Sequence, residues 1–287
     1  MLTNHHTHCE FCDGRTTARL MADVARDAGF SILGFSSHAP LPFGTDWNMD
    51  GSRLGEYLST IRSIAAEHES PRAGKPAMSI LVGLEIDYIE GLCGPADGRF
   101  SEARLDYSIG SVHYVSPAAA PAVGFTVDEP EEDFATHLES FYGGDAGALV
   151  EDYYAAVAAC VRGGGFDILG HLDLVRKNNR GQSRFREDTE RYRAAAMQAV
   201  DALAGTDIIV EVNTGGMARG KTDSPYPALW IARELKARGV AVCVNADAHQ
   251  GSHLLANRDD GLRLAHEAGY RMLTIACKGG RRELPLE

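Results

Sequence analysis

Histidines and carboxylates recur where apolar segments of the sequence end. His6 and His8 flank Thr7 just after the first such segment, and Asp247 and His249 have the same spacing after a later one. In an extended chain, residues two apart point to the same side, so each pair can direct both side chains at one site. Imidazole and carboxylate groups together suit Zn, Mn and Fe, so this spacing predicts metal binding.

Five further residues continue this pattern and bring the candidate ligands to nine. They are His38 in SILGFSSHA, Glu85 in ILVGLEID, His113 in YSIGSVHYV, His171 in FDILGHLDL and Asp13 in the loop after the first segment. Such a set exceeds the needs of one tetrahedral ion, so we predict about three divalent metals in one centre. A cluster of buried imidazoles and carboxylates also needs cations, because unpaired buried charges are costly.

Eight apolar, β-branched segments are predicted to be strands. They are Leu2–His6, Ser31–Ser37, Ser79–Asp87, Tyr107–Val115, Asp167–Leu172, Asp207–Asn213, Val240–Asp247 and Arg271–Ile275. Several are apolar almost throughout, which is typical of strands buried on both faces of a parallel sheet. The candidate ligands lie at or near the carboxyl ends of these strands, where α/β barrels carry their active sites.

Amphipathic segments predicted to be helices separate the strands. They are Thr17–Ala28, Arg53–Glu67, Ala146–Arg162, Glu187–Ala204, Pro227–Arg238 and Ala256–Ala268. Repeated strand–helix units predict an α/β fold, either a doubly wound sheet or a barrel. No shift in composition divides the chain, so residues 1–287 are predicted to form a single domain. One excursion, Ser116–Gly144, departs from the pattern and is predicted to carry a short helix near Phe134–Phe141.

The composition restricts the partners of this protein. Lys and Arg number 28 against 40 Asp and Glu, and the net charge of −12 argues against a nucleic-acid partner. No apolar run approaches the roughly 20 residues that span a bilayer, so no membrane partner is expected. The start MLTNHHTHCE does not resemble a signal peptide and the six cysteines are scattered, which predicts a cytoplasmic protein with reduced thiols. The oligomeric state stays open.

The order of the candidate ligands resembles the polymerase-and-histidinol-phosphatase (PHP) superfamily of metallohydrolases over nearly the whole chain. The matching motifs are His6-Thr7-His8, Glu85 in GLEID, His113 in GSVH, His171 in GHLD and Asp247-Ala248-His249. The stretches NHHTHCEFCDG, GFSSHAPLPF, GLEIDY, IGSVHY, GHLDLVRK and EVNTGG are similar to the histidinol-phosphate phosphatase family. This resemblance implies a distorted, TIM-like (β/α)7 barrel with a three-metal site, and hydrolysis of L-histidinol phosphate in histidine biosynthesis.

The same resemblance implies how the ligands are shared. His6, His8, Glu85 and Asp247 would hold the first metal, Asp13, His38 and His249 the second, and Glu85, His113 and His171 the third, with Glu85 as the bridge. Two positions depart from the superfamily pattern. Asn4 stands where many members have Asp, and Asp13 stands where others have His.

Further residues are expected to act on the substrate. Glu85, Asp247 and His249 are the predicted catalytic residues, and either Asp247 or His249 would protonate the leaving alkoxide. The candidates for binding phosphate are Arg176, Lys177 and Arg219. The candidates for recognising the imidazole and ammonium groups are Asp46, Trp47, Asp87, Tyr88 and Tyr114. Two alternatives stay open: a phosphatase for another small phosphate ester, and a non-catalytic metal-binding barrel.

Overall fold

The computed structural model describes residues 1–71, 74–117 and 124–286. The strands within these ranges are β1 Leu2–Asn4, β2 Phe30–Phe35, β3 Ser79–Val82, β4 Glu85–Asp87, β5 Ile109–Ser111, β6 Tyr114–Val115, β7 Phe125–Thr126, β8 Ile168–Leu169, β9 Ile209–Asn213, β10 Val242–Asn245, β11 Met272–Cys277 and β12 Gly280–Pro285. The α-helices are α1 Ala18–Asp27, α2 Leu54–His68, α3 Glu131–Tyr142, α4 Ala146–Gly163, α5 Glu190–Leu203, α6 Gly215–Ala218, α7 Leu229–Ala237 and α8 Arg258–Glu267.

Two parallel sheets organise the fold. The first contains three strands in the order β1-β2-β3, and the second contains five in the order β10-β9-β8-β5-β4. Helix α1 packs against β2, α2 against β3 and α8 against β10, so helices cover these buried strands. The prediction of an α/β fold is confirmed, whereas closure of the two sheets into a barrel stays a prediction.

Two of the predicted helices, α1 and α5, begin at a threonine whose side chain caps them. Thr17 accepts a hydrogen bond from the backbone N–H of Leu20 at the start of α1, and Thr189 accepts one from Tyr192 at the start of α5. Such caps satisfy amide groups that a helix leaves without partners at its first turn. All six predicted helices are present, with ends that differ by up to three residues.

Four segments depart from the predicted elements. The segment Tyr107–Val115 divides into β5 in the parallel sheet and β6, which pairs antiparallel with β7. The segment Ser79–Asp87 is interrupted, so that β3 pairs with β2 and β4 pairs with β5. The last predicted strand forms β11, which pairs antiparallel with β12 instead of continuing the parallel series. Residues 118–123 of the predicted excursion lie outside the described residues, and the rest carries β7 and the full helix α3.

An apolar layer lies near the starts of the parallel strands. Ile109, Ile168 and Ile209 are fully buried and lie in register on β5, β8 and β9. Ile275 on β11 belongs to the same cluster, so the terminal hairpin contributes to this layer. His5, predicted to point away from His6, places Nε2 at 2.9 Å from the carbonyl oxygen of Ala276 in β11.

Candidate metal centre

A cavity of about 910 Å³ opens at the carboxyl ends of the parallel strands. The cavity is lined by seven of the nine predicted ligands: Asp13, His38, Glu85, His113, His171, Asp247 and His249. The other two, His6 and His8, are fully buried and reach the same cluster from the end of β1. All nine predicted ligands therefore come together in one place.

Glu85 lies at the centre of this cluster because it begins β4, at the break between the two sheets. An isolated parallel bridge joins Glu85 to His38 beyond the end of β2. Its Oε2 atom lies 3.1 Å from His6 Nε2, 3.0 Å from His38 Nδ1 and 3.4 Å from His8 Nε2. Its Oε1 atom lies 3.0 Å from His171 Nε2 and 3.7 Å from His113 Nε2, and accepts a hydrogen bond from Ser111 Oγ.

Asp247 and Asp13 extend the cluster toward the cavity mouth. Asp247 Oδ1 lies 3.3 Å from His8 Nε2 and 3.7 Å from His6 Nε2. Asp13 Oδ2 lies 3.1 Å from His249 Nε2. Although burial alone would raise the pKa of the Asp247 carboxyl, Arg219 and His6 hold it well below its ordinary value. The cluster thus presents ionised carboxylate oxygens.

Four overlapping groups of these side chains could each hold a metal ion. Within each group the ligand atoms lie within 4.8 Å of one another, and the groups are His8–Asp13–His38–His249, His6–His8–Asp247, His6–Glu85–His171 and His38–Glu85–His113. Glu85 belongs to two of them, as expected of a bridging ligand. His8 also joins Asp13, His38 and His249, a grouping that the family resemblance does not imply.

The buried atoms of this cluster fit a cation. Within the described part of the chain, His6 Nε2, His8 Nε2, His38 Nδ1 and Glu85 Oε2 are buried without a hydrogen-bond partner. Imidazole nitrogens and carboxylate oxygens that converge without hydrogen bonding are costly unless a positive charge lies between them. The donor set, mixed nitrogen and oxygen, suits Zn, Mn or Fe.

Outer carboxylates hold two of the histidines from behind. Asp87, predicted to contact substrate, is buried beneath His113, and its Oδ1 lies 2.7 Å from His113 Nδ1. Burial would lower the pKa of His113, but Asp87 and Glu85 raise it to about 10. Glu211 makes the corresponding contact to His6, with 2.9 Å from Nδ1 to each carboxylate oxygen. Sequence reasoning missed Glu211, although a lone carboxylate inside the apolar run DIIVEV was a signal.

Arg219 is the predicted phosphate-binding residue that lies closest to the ligands. It donates from Nη2 to Asp247 Oδ2 at 2.8 Å and from Nη1 to the Asp247 carbonyl at 3.0 Å.

The backbone of Asp247 adopts a left-handed φ of 47°. A Cβ on Gly215 would come within 2.8 Å of the Asp247 side chain, so glycine is needed there to let β10 and the loop after β9 approach.

The other predicted substrate residues divide into two sets. Lys177, Asp46 and Trp47 line the cavity, and Tyr114 stacks on Trp47 with ring centroids 5.9 Å apart. Tyr88 lies instead beside a separate pocket that also includes Leu92. Arg176 does not line the cavity either.

Arg176 is held away from the cavity by its own partners. Its guanidinium donates to Glu187 Oε2, to Asp173 Oδ2 and to Ser224 Oγ, in a largely buried network. A guanidinium with its donors already paired and buried does not offer them to a phosphate. Its neighbour Lys177 faces the cavity and pairs with Asp128 at 3.0 Å.

Several charged cavity residues were not predicted. Arg15 and Lys221 add two cations to the lining. Asp128 and Glu129, which lie between β7 and α3, and Asp133, in α3, add acidic side chains. These residues lie in loops and the first turn of α3, and no spacing in the sequence relates them to the ligands.

The fold and the site together define a class: α/β proteins that carry a cluster of His, Asp and Glu at the carboxyl ends of parallel strands. The sequence profile described as "PHP domain" matches residues 4–215. This chain therefore belongs to the PHP domain family. Among the described residues, no helix is long and apolar enough to cross a membrane.

Proteins similar to this chain carry consistent names. A Deinococcus radiodurans protein named "Probable histidinol-phosphatase" is 32% identical over 282 residues, covering 96% of each chain. The Bacillus subtilis (strain 168) "Histidinol-phosphatase" is 26% identical over 264 residues, covering 85% of this chain and 92% of its own. A crystal structure of histidinol phosphate phosphatase from Lactococcus lactis, complexed with Zn, L-histidinol and phosphate, matches with a TM-score of 0.70 and 21% identity over 98% of both chains. At that identity the last comparison supports the fold.

Proposed function

We propose that this protein is a metal-dependent phosphatase that hydrolyses L-histidinol phosphate to L-histidinol and phosphate in histidine biosynthesis. The observation that carries the proposal is the convergence of nine ligand-type side chains at the base of a cavity whose wall includes Arg219 and Lys177. Negative and neutral ligands at the base suit cations, and cations on the wall suit a phosphate ester. The full-length similarity to the Deinococcus radiodurans protein supports the choice of substrate.

We infer that the centre holds about three divalent metals, with Zn, Mn and Fe as candidates. The four ligand groups share members, but each is compact around a different point. Several ions are therefore proposed, because a single ion could not contact the ligand atoms of all four groups. Divalent metals, when bound, lower the pKa of coordinated water and stabilise negative charge on a phosphate ester. The Zn in the Lactococcus lactis complex is consistent with this metal class.

Asp247 and its neighbours would stabilise negative charge and transfer a proton to the leaving alkoxide. Arg219 keeps the Asp247 carboxylate ionised and holds it through one hydrogen bond to Oδ2 and a second to the backbone carbonyl of the same residue. Asp247 and His249 both face the cavity, and both are candidates for delivering a proton to the leaving alkoxide. A proton donor must lie within hydrogen-bonding reach of the leaving oxygen. An ionised Asp247 could deliver only a proton that it had first taken up, for example from the attacking water.

Phosphate binding is proposed for Arg219 and Lys177, with Arg15 and Lys221 as further cations of the cavity wall. Arg219 presents a planar guanidinium beside the ligand cluster, and a planar fork matches phosphate oxygens. Lys177 keeps donors available beyond its contact with Asp128, because an ammonium group has three. Arg176 does not belong to this group, because its guanidinium donors are paired with Glu187 and Asp173.

Recognition of the organic part of the substrate is proposed for other residues of the same cavity. Trp47 lies edge-on to His38 at 4.6 Å and stacks on Tyr114, so an aromatic surface borders the ligand cluster. Such a surface can stack on an imidazole or hold a cation. Asp46 and Asp128 supply carboxylates that can pair with an ammonium group.

We further propose that residues 1–287 form one PHP-type domain built on a distorted seven-stranded barrel. Two bridges join the sheets: Thr7, after β1, pairs with Ala248, after β10, and His38, after β2, pairs with Glu85 of β4. With β3 and β4 counted as one interrupted strand, these bridges support a closed order of seven. One buried cluster also combines Ile32 of the first sheet with Ile209 of the second.

The test of this function compares kcat/KM for L-histidinol phosphate with values for sugar, nucleotide and amino-alcohol phosphates, after loading with Mn or Zn. We expect a preference of at least about 100-fold, equivalent to about 2.7 kcal/mol of transition-state binding. Faster turnover of another ester would support the phosphatase activity but contradict L-histidinol phosphate as the substrate. Absence of turnover for every ester by metal-loaded protein would support a non-catalytic metal-binding protein instead.

A further inference from the structure

Glu211 is a fully buried carboxylate that lies beneath the candidate metal centre, in the middle of β9. Four groups approach its two oxygens. They are His6 Nδ1 at 2.9 Å, the backbone N–H of His171 at 2.9 Å, Asn213 Nδ2 at 2.7 Å and Asn245 Nδ2 at 2.9 Å. These contacts join the ends of β1, β8, β9 and β10 around one side chain.

The orientations of the two amide side chains are determined by the backbone. Asn213 Oδ1 accepts the N–H of Gly215 at 2.8 Å, and Asn245 Oδ1 accepts the N–H of His5 at 2.9 Å. A backbone N–H can only donate, so each amide oxygen must face it and each NH2 group must face Glu211. Together with the N–H of His171, three of the four neighbours of Glu211 are therefore obligatory donors.

The same donors favour acceptance at the fourth contact. They stabilise the ionised carboxylate of Glu211, which has acceptor oxygens only, so that its contact with His6 is a hydrogen bond donated by His6 Nδ1. In the neutral imidazole the lone pair then belongs to Nε2. That atom lies 3.1 Å from Glu85 Oε2 and 3.7 Å from Asp247 Oδ1, where two carboxylate oxygens converge.

We propose that Glu211 is a positioning residue that orients the ring of His6, with the Nε2 lone pair directed at the metal centre. The inference rests on the proposed metal centre and is independent of the substrate. A glutamine could not replace Glu211, because its NH2 group would face other donors. By contrast, the nearest partner of His8 Nδ1 given by the structure is the thiol of Cys12 at 3.4 Å, a much weaker acceptor.

The test measures metal binding by Glu211→Gln, separately from catalysis. Metal-free protein is titrated with Co²⁺ in competition with a chelator, and the visible absorption of bound Co²⁺ reports the ligand geometry. Loss of such an outer partner is expected to lower the metal affinity by about 10- to 100-fold. The cobalt spectrum should change as well, because His6 loses its fixed orientation. Glu234→Gln, which removes a carboxylate from a surface ion pair with Arg238, should behave like the wild type.

A double-mutant cycle separates positioning from a general structural effect. If Glu211 acts through His6, Glu211→Gln should lower the affinity of the wild type but hardly change that of a His6→Ala background. Should Glu211→Gln fail to fold, Glu211→Asp keeps an acceptor-only group with a shorter reach. It should show a smaller loss of affinity with the same dependence on His6.

Three outcomes have distinct meanings. Equal affinity and an equal cobalt spectrum for wild type and Glu211→Gln would overturn the positioning role, as would equal losses in both backgrounds. A wild-type protein that binds no cobalt would instead contradict the metal centre on which the inference rests. A loss of metal affinity confined to proteins that contain His6 would support the positioning role of Glu211.

Discussion

The two ends of the parallel strands carry opposite kinds of side chain. At the carboxyl ends, His6, Glu85 and Asp247 are buried among one another at the base of a cavity. Near the starts of the strands, Ile168 and Ile209 lie in register inside an apolar layer. The same ladder of backbone hydrogen bonds thus supports a polar cluster at one end and an apolar core at the other.

Residues that carry the chemistry and residues that stabilise the fold therefore lie at opposite ends of the same strands. Each fully buried isoleucine contributes roughly 1.5–3 kcal/mol through removal from water. Buried imidazoles and carboxylates are costly to desolvate and persist through hydrogen bonds and cations. Substitutions at the carboxyl ends should therefore change chemistry, and substitutions at the other end should change stability. The following predictions test that separation, from the largest expected effect on catalysis to the smallest.

Glu85→Gln should have the largest effect. The substitution removes the charge shared by five neighbouring histidines, so metal content should fall and kcat should drop by about 1000-fold or more, equivalent to about 4 kcal/mol. Elemental analysis and steady-state kinetics measure the two effects, and circular dichroism checks the fold. Wild-type metal content with full activity in this variant would contradict the bridging role of Glu85.

Arg219→Gln should have the next largest effect. It removes two hydrogen bonds to Asp247 and one cation from the cavity wall, so kcat/KM should fall by about 100- to 1000-fold. The matched control is Arg238→Gln, whose guanidinium pairs with Asp201 and Glu234 and which should keep wild-type kinetics. A fall of less than twofold for Arg219→Gln would mean that the phosphate is bound by other residues.

Lys177→Met should produce a moderate effect, mainly through KM. Lys177 lines the cavity and is already paired with Asp128, so its loss should raise KM by about 10-fold with a smaller change in kcat. Initial-rate measurements over a range of substrate concentrations separate the two constants. Arg176→Met is a useful comparison: because its donors lie in the network with Asp173 and Glu187, it should lower the melting temperature.

Trp47→Ala should change selectivity more than rate. Removing the aromatic surface beside His38 should lower kcat/KM for L-histidinol phosphate by about 10-fold, equivalent to about 1.4 kcal/mol of cation–π or stacking energy. A simple aryl phosphate, which carries neither imidazole nor ammonium, should be affected less. Equal losses for both esters would show that Trp47 supports the ligand cluster instead of recognising the substrate.

Ile275→Ala should leave catalysis unchanged and destabilise the protein. Ile275 is buried in the apolar layer, and its truncation leaves a cavity that should cost roughly 2–4 kcal/mol of unfolding free energy. Denaturant unfolding measures the loss, and kcat/KM of the folded protein should stay within about twofold of wild type. A large fall in kcat/KM for this variant would contradict the idea that the two ends of the strands serve different roles.

The elements and ligands that could be predicted share one physical basis. Apolar periodicity determines which segments become buried strands and amphipathic helices, and parallel strands bring their carboxyl ends to one edge. For that reason His113 and His171, 58 positions apart in the sequence, could be predicted at the same site. Spacing along a single strand was enough to direct His6 and His8 together, while His5 faces the terminal hairpin.

The loops around the cavity could not be predicted in the same way, because their conformations depend on contacts distant in sequence. Arg176 and Lys177 are adjacent and chemically alike, yet only the tertiary partners Glu187 and Asp128 decide which one faces the cavity.

The α/β class and the set of candidate ligands follow from the amino-acid sequence, because strand burial and side-chain alternation are local properties of the chain. The interruption between β3 and β4, which brings Glu85 between the two sheets, arises from tertiary contacts. The tertiary structure also brings together the four neighbours of Glu211: Asn213 is on β9 itself, and the other three come from the ends of β1, β8 and β10, which are distant in sequence. The hydrogen-bond partners of a buried charge depend on how distant strands pack together, and the spacing of residues along one segment does not contain that information.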